Sequence, residues 1–287
     1  MTILQGGKEL SAELNKIYDV REAVKVADMI MENITGFSKT ERLINKHLLL
    51  TTAQRDQLRI FTEQLMQHKP VQYVLHEAWF AGLKFYVNED VLIPRPETEE
   101  LVEAVISDIT SSSKKDLFVL DIGTGSGCIA ILLKKRLPDL QVYAMEISNK
   151  ALQVAQKNAM QNAVDIKFLH ADILHWKQRK SFSSFDVIVS NPPYIKEAEA
   201  NEMAANILSY EPHRALFVPD NDALVFYRAI ADFGAQNLKQ GAGKIFVEIN
   251  ETLGEEVSAL FMQKGFSDVK IKKDAQDKER IVSAVLK

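Results

Sequence analysis

The chain has 287 residues, 46% hydrophobic and 26% charged, with a formal net charge of −4. This is the balance of a globular protein with its own core, and it leaves no basic footprint to grip a phosphate backbone, so direct nucleic-acid binding is not expected. One cysteine, Cys128, excludes an internal disulfide framework and fits a reducing cytoplasm, while the start carries no leader pattern and no apolar run approaches the roughly 18 residues of a membrane span.

Residues 1–70 read as a small helical bundle. Leu10, Leu14, Ile17 and Tyr18 share one face, and Ala23, Ala27, Ile30 and Met31 form a second stripe at helical spacing. Ser38-Lys39-Thr40-Glu41 is a capping-box pattern, in which Ser38 satisfies a free N–H of the first turn and Glu41 reaches back. Leu43, Ile44 and Leu48 follow at the same period. Thr51 or Thr52 caps a further helix carrying Leu58, Phe61, Leu65 and Met66, which Pro70 ends. No chemistry is visible here, only a packing unit or a partner-binding surface. Over 71–93 the strand formers Tyr73, Phe80, Phe85, Tyr86, Val87 and Val91, broken by Gly82 and Asn88-Glu89-Asp90, predict a β-hairpin linker. A helix follows over 99–109, burying Leu101, Val102, Val105 and Ile106, and the serine–lysine run over 111–115 reads as a surface loop.

The stretch 94–287 forms the remaining domain. Strands are expected over 117–122, 141–145, 166–169, 185–190 and 243–249, with helices over 128–136, 150–162, 223–238 and 252–264. Two further strands, 269–272 and 281–285, close the chain. Continuous apolar strands alternating with helices mean an α/β, doubly wound, mostly parallel sheet, whose ligands bind beyond the carboxyl ends of the strands.

The first such end carries Asp121-Ile122-Gly123-Thr124-Gly125-Ser126-Gly127-Cys128. The spacing is G-x-G-x-G. A dinucleotide fingerprint would want glycine at 128, which is Cys128, and that argues against a pyrophosphate ligand. Glu146 ends the second strand, where an acid accepts both ribose hydroxyls. Asp172 follows the third, placed to accept from an adenine amine while the N–H of Ile173 donates to the ring. Asp121 can meet a cationic amino group. Acids after three successive strands, together with the loop, fit S-adenosylmethionine.

Ser190-Asn191-Pro192-Pro193-Tyr194 follows the fourth strand. Two prolines after a strand end can be a stiff turn and nothing more. As a tetrapeptide in this position, Asn191-Pro192-Pro193-Tyr194 suits a planar amide or amine nitrogen. The side-chain oxygen of Asn191 and the carbonyl of Pro192 both accept from a target NH2, aiming the nitrogen at a methyl group and stabilising positive charge as it forms. The face of Tyr194 packs on the target group. No strong base is needed, because the proton leaves readily once the nitrogen is quaternised.

Phe80, Gly82, Phe85, Val87, the run from Val91 to Glu103 that contains Pro94-Arg95-Pro96-Glu97-Thr98-Glu99, the glycine loop, Ser190 to Ile195, Tyr210-Glu211-Pro212 and Ala215-Leu216-Phe217 together resemble the PrmC/HemK family, over essentially the whole chain. Those are protein-(glutamine-N5) methyltransferases of peptide chain release factors. The resemblance implies a Rossmann-like class I methyltransferase domain preceded by a helical domain that helps grip the factor. The substrate it implies is the glutamine of the Gly-Gly-Gln loop of class I release factors. By the same carry-over Gly123, Thr124, Gly125, Ser126, Gly127, Glu146, Asp172, Ile173 and Asn191 contact cofactor or target, and Asn191 to Tyr194 hold the glutamine amide. Arg95 and Glu97 read either as a surface pair at a helix start or, from their place in Pro94-Arg95-Pro96-Glu97-Thr98, as shaping the active-site edge. A monomer is expected. The sequence departs from the family in four places. Glu146 replaces the more usual aspartate, His76 and Asp277 stand where glycine is common, and Val218-Pro219-Asp220 replaces a glycine pair. Trp176 and Cys128 read as packing residues, and His213 and Arg214 as substrate contacts or a solvated loop. A DNA adenine amino-methyltransferase, which uses the same tetrapeptide on a flipped base, is the competing reading.

Overall fold

The computed structural model describes residues 1–111, 116–178, 184–203, 205–274 and 276–287. The loop expected over 111–115 falls, beyond Ser111, outside the described residues. The chain divides into two compact units, split after Glu77.

The first unit contains α1 (Ile3–Leu14), α2 (Val20–Thr35), α3 (Lys39–Ile44), α4 (Thr52–Met66) and α5 (Val71–Leu75). Thr2, Ser38 and Thr51 each close a capping box, and Asp19 accepts from the N–H groups of Arg21 and Glu22, so every long helix begins on a side-chain oxygen. Leu10, Leu14, Ala23, Ala27, Ile30, Met31, Leu58, Phe61 and Leu65 interlock as the core. Two expectations fail here. Leu43, Ile44 and Leu48 do not extend a buried stripe. They are exposed, because α3 is six residues long and its one buried residue is Arg42, clamped by Asp28, Glu32 and the carbonyl of Phe37. Residues 71–75 are helix and not strand. Pro70 is the residue before α5, with a φ of −53° that suits a helix start.

The second unit opens with the hairpin β1 (Ala78–Phe80) and β2 (Leu83–Phe85), then α6 (Pro96–Ser111), which starts three residues before the expected 99 because Pro96 takes the first turn. β3 (Phe118–Ile122), α7 (Cys128–Arg136), β4 (Gln141–Glu146), α8 (Asn149–Gln161), β5 (Lys167–His170), a 3-10 segment (Ile173–Gln178) and β6 (Val187–Ser190) follow. The chain then makes β7 (Ile195–Lys196), a second 3-10 segment (Glu197–Glu202), α9 (Ala205–Tyr210), α10 (His213–Leu216) and β8 (Phe217–Val218), short elements that the sequence did not suggest. Of these α9 belongs to the first unit, where the Tyr210 hydroxyl donates to the Gln67 carbonyl at 2.9 Å. α11 (Val225–Asn237), β9 (Lys244–Glu248), α12 (Gly254–Gln263), β10 (Phe266–Lys273) and β11 (Glu279–Leu286) complete the unit.

The main sheet has seven strands in the order β10-β11-β9-β6-β3-β4-β5, parallel except at β11, which runs antiparallel to both β9 and β10. Alternate residues of each strand serve opposite faces. Val119, Val187 and Val189 pack with α6, α7 and α8, whereas Leu120 and Ile188 pack with α11 and α12. With both faces covered, only the strand ends are left to bind a ligand. The order reverses at β3, so the carboxyl ends of β3, β4 and β6 flank a crevice.

Candidate active site

A cavity of ≈ 420 Å³ lies at that crevice, lined without a break from Gly123, Gly125 and Glu146 to Asn191, Pro192 and Pro193. At one end the glycine loop turns off β3. The N–H groups of Gly123 and Thr124 both donate to the Met145 carbonyl, at 2.8 and 3.1 Å, which docks the loop on β4. Gly123 has φ +74°, and a side chain added there would meet no atom within 4 Å, so its bare backbone faces open space in the cavity. Gly127 works differently. Its φ is +84°, and an added Cβ would stand 3.0 Å from Ile131 and 3.2 Å from Ala155, so it lets α7 close on α8 and does not line the cavity.

Beneath the loop Asp121 is fully buried. Its Oδ2 accepts from the Thr124 hydroxyl at 2.5 Å, while Oδ1 has no hydrogen-bond partner among the described residues. Burial pushes its carboxyl up to about 7, against the opposing pull of the Thr124 hydrogen bond. Glu146 holds its place by accepting from Gly125 N–H at 3.1 Å, Ile147 N–H at 2.8 Å and Ser148 N–H at 2.9 Å. A carboxylate has about four acceptor positions, so one is left for a ligand hydroxyl. Asp172 accepts from Leu174 N–H at 2.8 Å and pairs with His175 Nδ1 at 2.7 Å. Met145, Ile147, Ala171, Ile173 and Leu174 supply an apolar wall. An orphaned buried acid, an open glycine cradle, a ribose-sized acid and an apolar slot fit S-adenosylmethionine, with its ammonium, sulfonium, ribose and adenine.

At the other end β6 stops at Ser190, whose hydroxyl donates to the Ile122 carbonyl at 2.7 Å and ties the acceptor loop to β3. Asn191 Nδ2 donates to the Thr98 hydroxyl at 3.0 Å, Thr98 donates to Glu248 Oε2 at 2.7 Å, and the Tyr194 hydroxyl donates to Glu248 Oε1 at 3.3 Å. Glu248 ends β9 and is 2% exposed. Burial pushes it up to about 7, with the Thr98 and Tyr194 hydrogen bonds opposing. Burial, with Glu248 nearby, also raises Tyr194 well above the ordinary phenol value.

Of the residues expected at the site, Gly123, Gly125, Glu146, Asp172, Ile173, Asn191, Pro192 and Pro193 line the cavity. Asp121, Thr124, Ser126 and Gly127 build the loop from behind, and Tyr194 does not line the cavity, its hydroxyl being tied to Glu248. Arg95 does not pair with Glu97. It pairs with the buried Glu211 at 2.5 Å, whose second oxygen accepts from Ile93 N–H at 3.2 Å, while Glu97 is exposed and away from the cavity. Arg214 lines the cavity, and the His213 ring lies against Phe217. Trp176 packs edge-on to Phe233. Sequence reasoning missed Thr98, Glu211 and Glu248. Glu248 had a readable signal, an acid closing a buried apolar strand, the same pattern that picked out Glu146.

The sequence family "PrmC N-terminal domain" matches residues 8–75, and "Methyltransferase small domain" matches residues 100–217. The chain is 45% identical to a release factor glutamine methyltransferase of Flavobacterium psychrophilum over 94% of each chain. It is 38% identical to one of Lactococcus lactis over 99% of each. Among solved structures it resembles a Thermus thermophilus 16S rRNA methyltransferase in complex with AdoMet and guanosine, at 21% identity and a TM-score of 0.53, covering 74% of this chain and 50% of that one, a likeness of fold. The geometry and the relatives agree, and the chain belongs to the release factor glutamine methyltransferase family.

Proposed function

We propose that this protein methylates the side-chain amide nitrogen of the glutamine in the Gly-Gly-Gln loop of class I peptide chain release factors. The observation that carries the reading is the continuity of one cavity from the glycine loop to Asn191-Pro192-Pro193, which sets an amide-holding segment against a methyl-donor site. S-adenosylmethionine supplies an electrophilic methyl group there. Asn191 Oδ1 and the Pro192 carbonyl accept from the target NH2, which orients the nitrogen lone pair and stabilises the charge that develops on it. The prolines offer no N–H to compete, and Tyr194 gives a flat face to the amide. Asp121 and Glu146 hold the ammonium and ribose ends.

The residues 1–70 act as a factor-gripping domain joined through 71–93 to the methyltransferase domain 94–287. Support comes from the match of residues 8–75 to the PrmC N-terminal domain. The enzyme works as a cytoplasmic monomer. Its lone cysteine is buried, and no described helix is long and apolar enough to cross a membrane. The test is methyl-labelled cofactor with a class I release factor, the same factor with its loop glutamine replaced, and duplex DNA. Label on the intact factor alone, lost with Asn191→Ala, is expected. Label on DNA and none on the factor would replace this reading with an adenine amino-methyltransferase.

A further inference from the structure

We propose that Thr98 and Glu248 are positioning residues that hold Asn191 with its carbonyl oxygen, and not its amino group, toward the methyl-accepting nitrogen. The inference rests on the amide-methylating reading of Asn191 and assigns roles to two residues outside the tetrapeptide.

An asparagine side chain has nearly the same shape in its two flipped states, so packing alone does not choose between oxygen and nitrogen. Here the choice is imposed by Glu248, two hydrogen bonds away. An ionised Glu248 only accepts. Its Oε2 lies 2.7 Å from the Thr98 hydroxyl, so the single Thr98 proton points at Glu248. The Thr98 oxygen can then only accept from its other neighbour, and the Asn191 group 3.0 Å away must be its NH2. The Asn191 oxygen is left for the cavity, where a target NH2 needs an acceptor. The second Glu248 oxygen accepts from Tyr194, so the same carboxylate also fixes the ring beside the target.

Burial makes this chain stiff. Thr98 is 3% exposed and Glu248 is 2% exposed, on α6 and β9, so neither hydroxyl nor carboxylate has water as an alternative partner. The groups facing Glu248 come from every element around it. Tyr194 lies beside it, Tyr227 of α11 donates to its backbone carbonyl at 3.1 Å, Glu97 of α6 raises its affinity for a proton and Arg280 of β11 lowers it. Protonation turns Glu248 into a donor toward Thr98. The Thr98 proton is then free to turn toward Asn191, which favours the flipped amide and sets NH2 against NH2 at the target.

The test follows the side-chain amide of Asn191 by NMR in the full-length protein labelled with 15N-asparagine, and methyl transfer to the release factor in parallel. The variants are Thr98→Val, Thr98→Ser and Glu248→Gln. The Asn191 NH2 resonances are expected to shift with pH around 7 in the unmodified protein and to stop doing so in Glu248→Gln, whose amide still accepts from Thr98 but does not titrate. Thr98→Val should lower kcat about 100-fold, with KM for the factor and the affinity for S-adenosylhomocysteine within about threefold, and Thr98→Ser should recover to within about fivefold. The unmodified enzyme should lose about tenfold in kcat between pH 8 and pH 6, and Glu248→Gln should lack that fall. Asn191 resonances indifferent to both pH and Thr98→Val, or a Thr98→Val enzyme within threefold of the parent kcat, would overturn the proposal. Should Thr98→Val lose cofactor binding as well, the Asn191 titration in the parent and Glu248→Gln proteins decides alone. Absence of label on the factor from the parent enzyme would instead overturn the substrate reading, and the NMR result would still judge the network.

Discussion

The cofactor end of the cavity is made chiefly of backbone that follows three strands in turn, whereas the acceptor end is made of side chains drawn from distant parts of the chain. Gly123, Gly125 and Glu146 work within 23 residues of one another, and Gly125 and Glu146 are joined by a hydrogen bond across a 21-residue separation. Asn191 meets Thr98 across 93 residues, and Thr98 meets Glu248 across 150. The first end can be shaped by a local loop as soon as β3 and β4 pair. The second exists only when α6, β6 and β9 have all packed. It therefore reports on the whole sheet, and its residues should be more sensitive in rate than in binding.

The largest expected effect lies at the acceptor end. On the proposed reading Asn191→Ala removes one of two acceptors aimed at the developing charge, and losing such a group costs about 10²- to 10³-fold in kcat. Binding of S-adenosylhomocysteine, read by calorimetry, should change far less, within about fivefold. Equal losses in both would erase the distinction between the two ends.

Two glycines of one loop sharpen it next. Gly127→Ala adds a Cβ 3.0 Å from Ile131 at a left-handed φ, so strain and overpacking together should cost about 3 kcal/mol in denaturant unfolding. Gly123→Ala adds its Cβ to open space at a similar φ. It should cost only about 1–2 kcal/mol of stability from the backbone term alone, and weaken cofactor binding instead. The pair separates a packing glycine from a ligand-facing one within five residues.

Asp121 lies between these cases, buried like a core residue yet charged like a ligand contact. Its carboxyl is raised to about 7 by burial, above its value in the unfolded chain. Between pH 4 and 7 the folded protein therefore holds the extra proton, and the stability this provides is present at low pH and is lost as pH rises through 7. Asp121→Asn should remove that dependence. The ligand-free variant is expected to gain on the order of 2 kcal/mol relative to the parent between pH 5 and pH 8, while binding S-adenosylmethionine more weakly for want of the acid. Identical pH dependence of melting in the two proteins would place the buried charge elsewhere.

What the sequence disclosed follows from the same contrast. Strand ends, the glycine loop and the acids after β4 and β5 are local patterns, and so was Asn191-Pro192-Pro193-Tyr194. The capping box of α3 was legible for the same reason, since it lies within four residues, and at α4 the cap was narrowed to Thr51 or Thr52, of which Thr51 closes a box with Gln54. Glu211 was not, because its partners Arg95 and Ile93 lie 116 and 118 residues away. Nor was Asn158, which accepts from Tyr86 N–H and donates to the carbonyls of Tyr86 and Ser126, joining the hairpin exit to the glycine loop from a helix that shows only an amphipathic stripe. Residues 71–75 misled because Tyr73 and Val74 favour strands in isolation, and burial of both at 0% and 3% in a helical turn outweighs that preference. The exposed Leu43, Ile44 and Leu48 misled because helical spacing says nothing about which turn will be covered.

The smallest effect concerns a place where the family's glycine is absent. Asp277, in the turn between β10 and β11, has φ +64°, and His76 at the end of α5 has φ +52°, so both departures occupy left-handed backbone that explains the usual glycine. Aspartate tolerates this conformation better than most residues, since its short polar side chain bonds locally, but it still pays some of the 1–2 kcal/mol that a Cβ costs there. Glycine removes that strain and in exchange loses about 0.5–1 kcal/mol through the greater freedom of the unfolded chain. The Asp277–Lys273 ion pair at 3.2 Å is too exposed to shift the balance. Asp277→Gly should therefore raise Tm by only about 1 °C. That makes it the mirror of Gly127→Ala, with the same backbone region, the reverse substitution and no neighbour to strike. If Asp277→Gly instead lowered Tm by several degrees, the turn would owe its stability to the aspartate side chain, and the glycine of the family would be a preference of other chains and not a demand of this backbone.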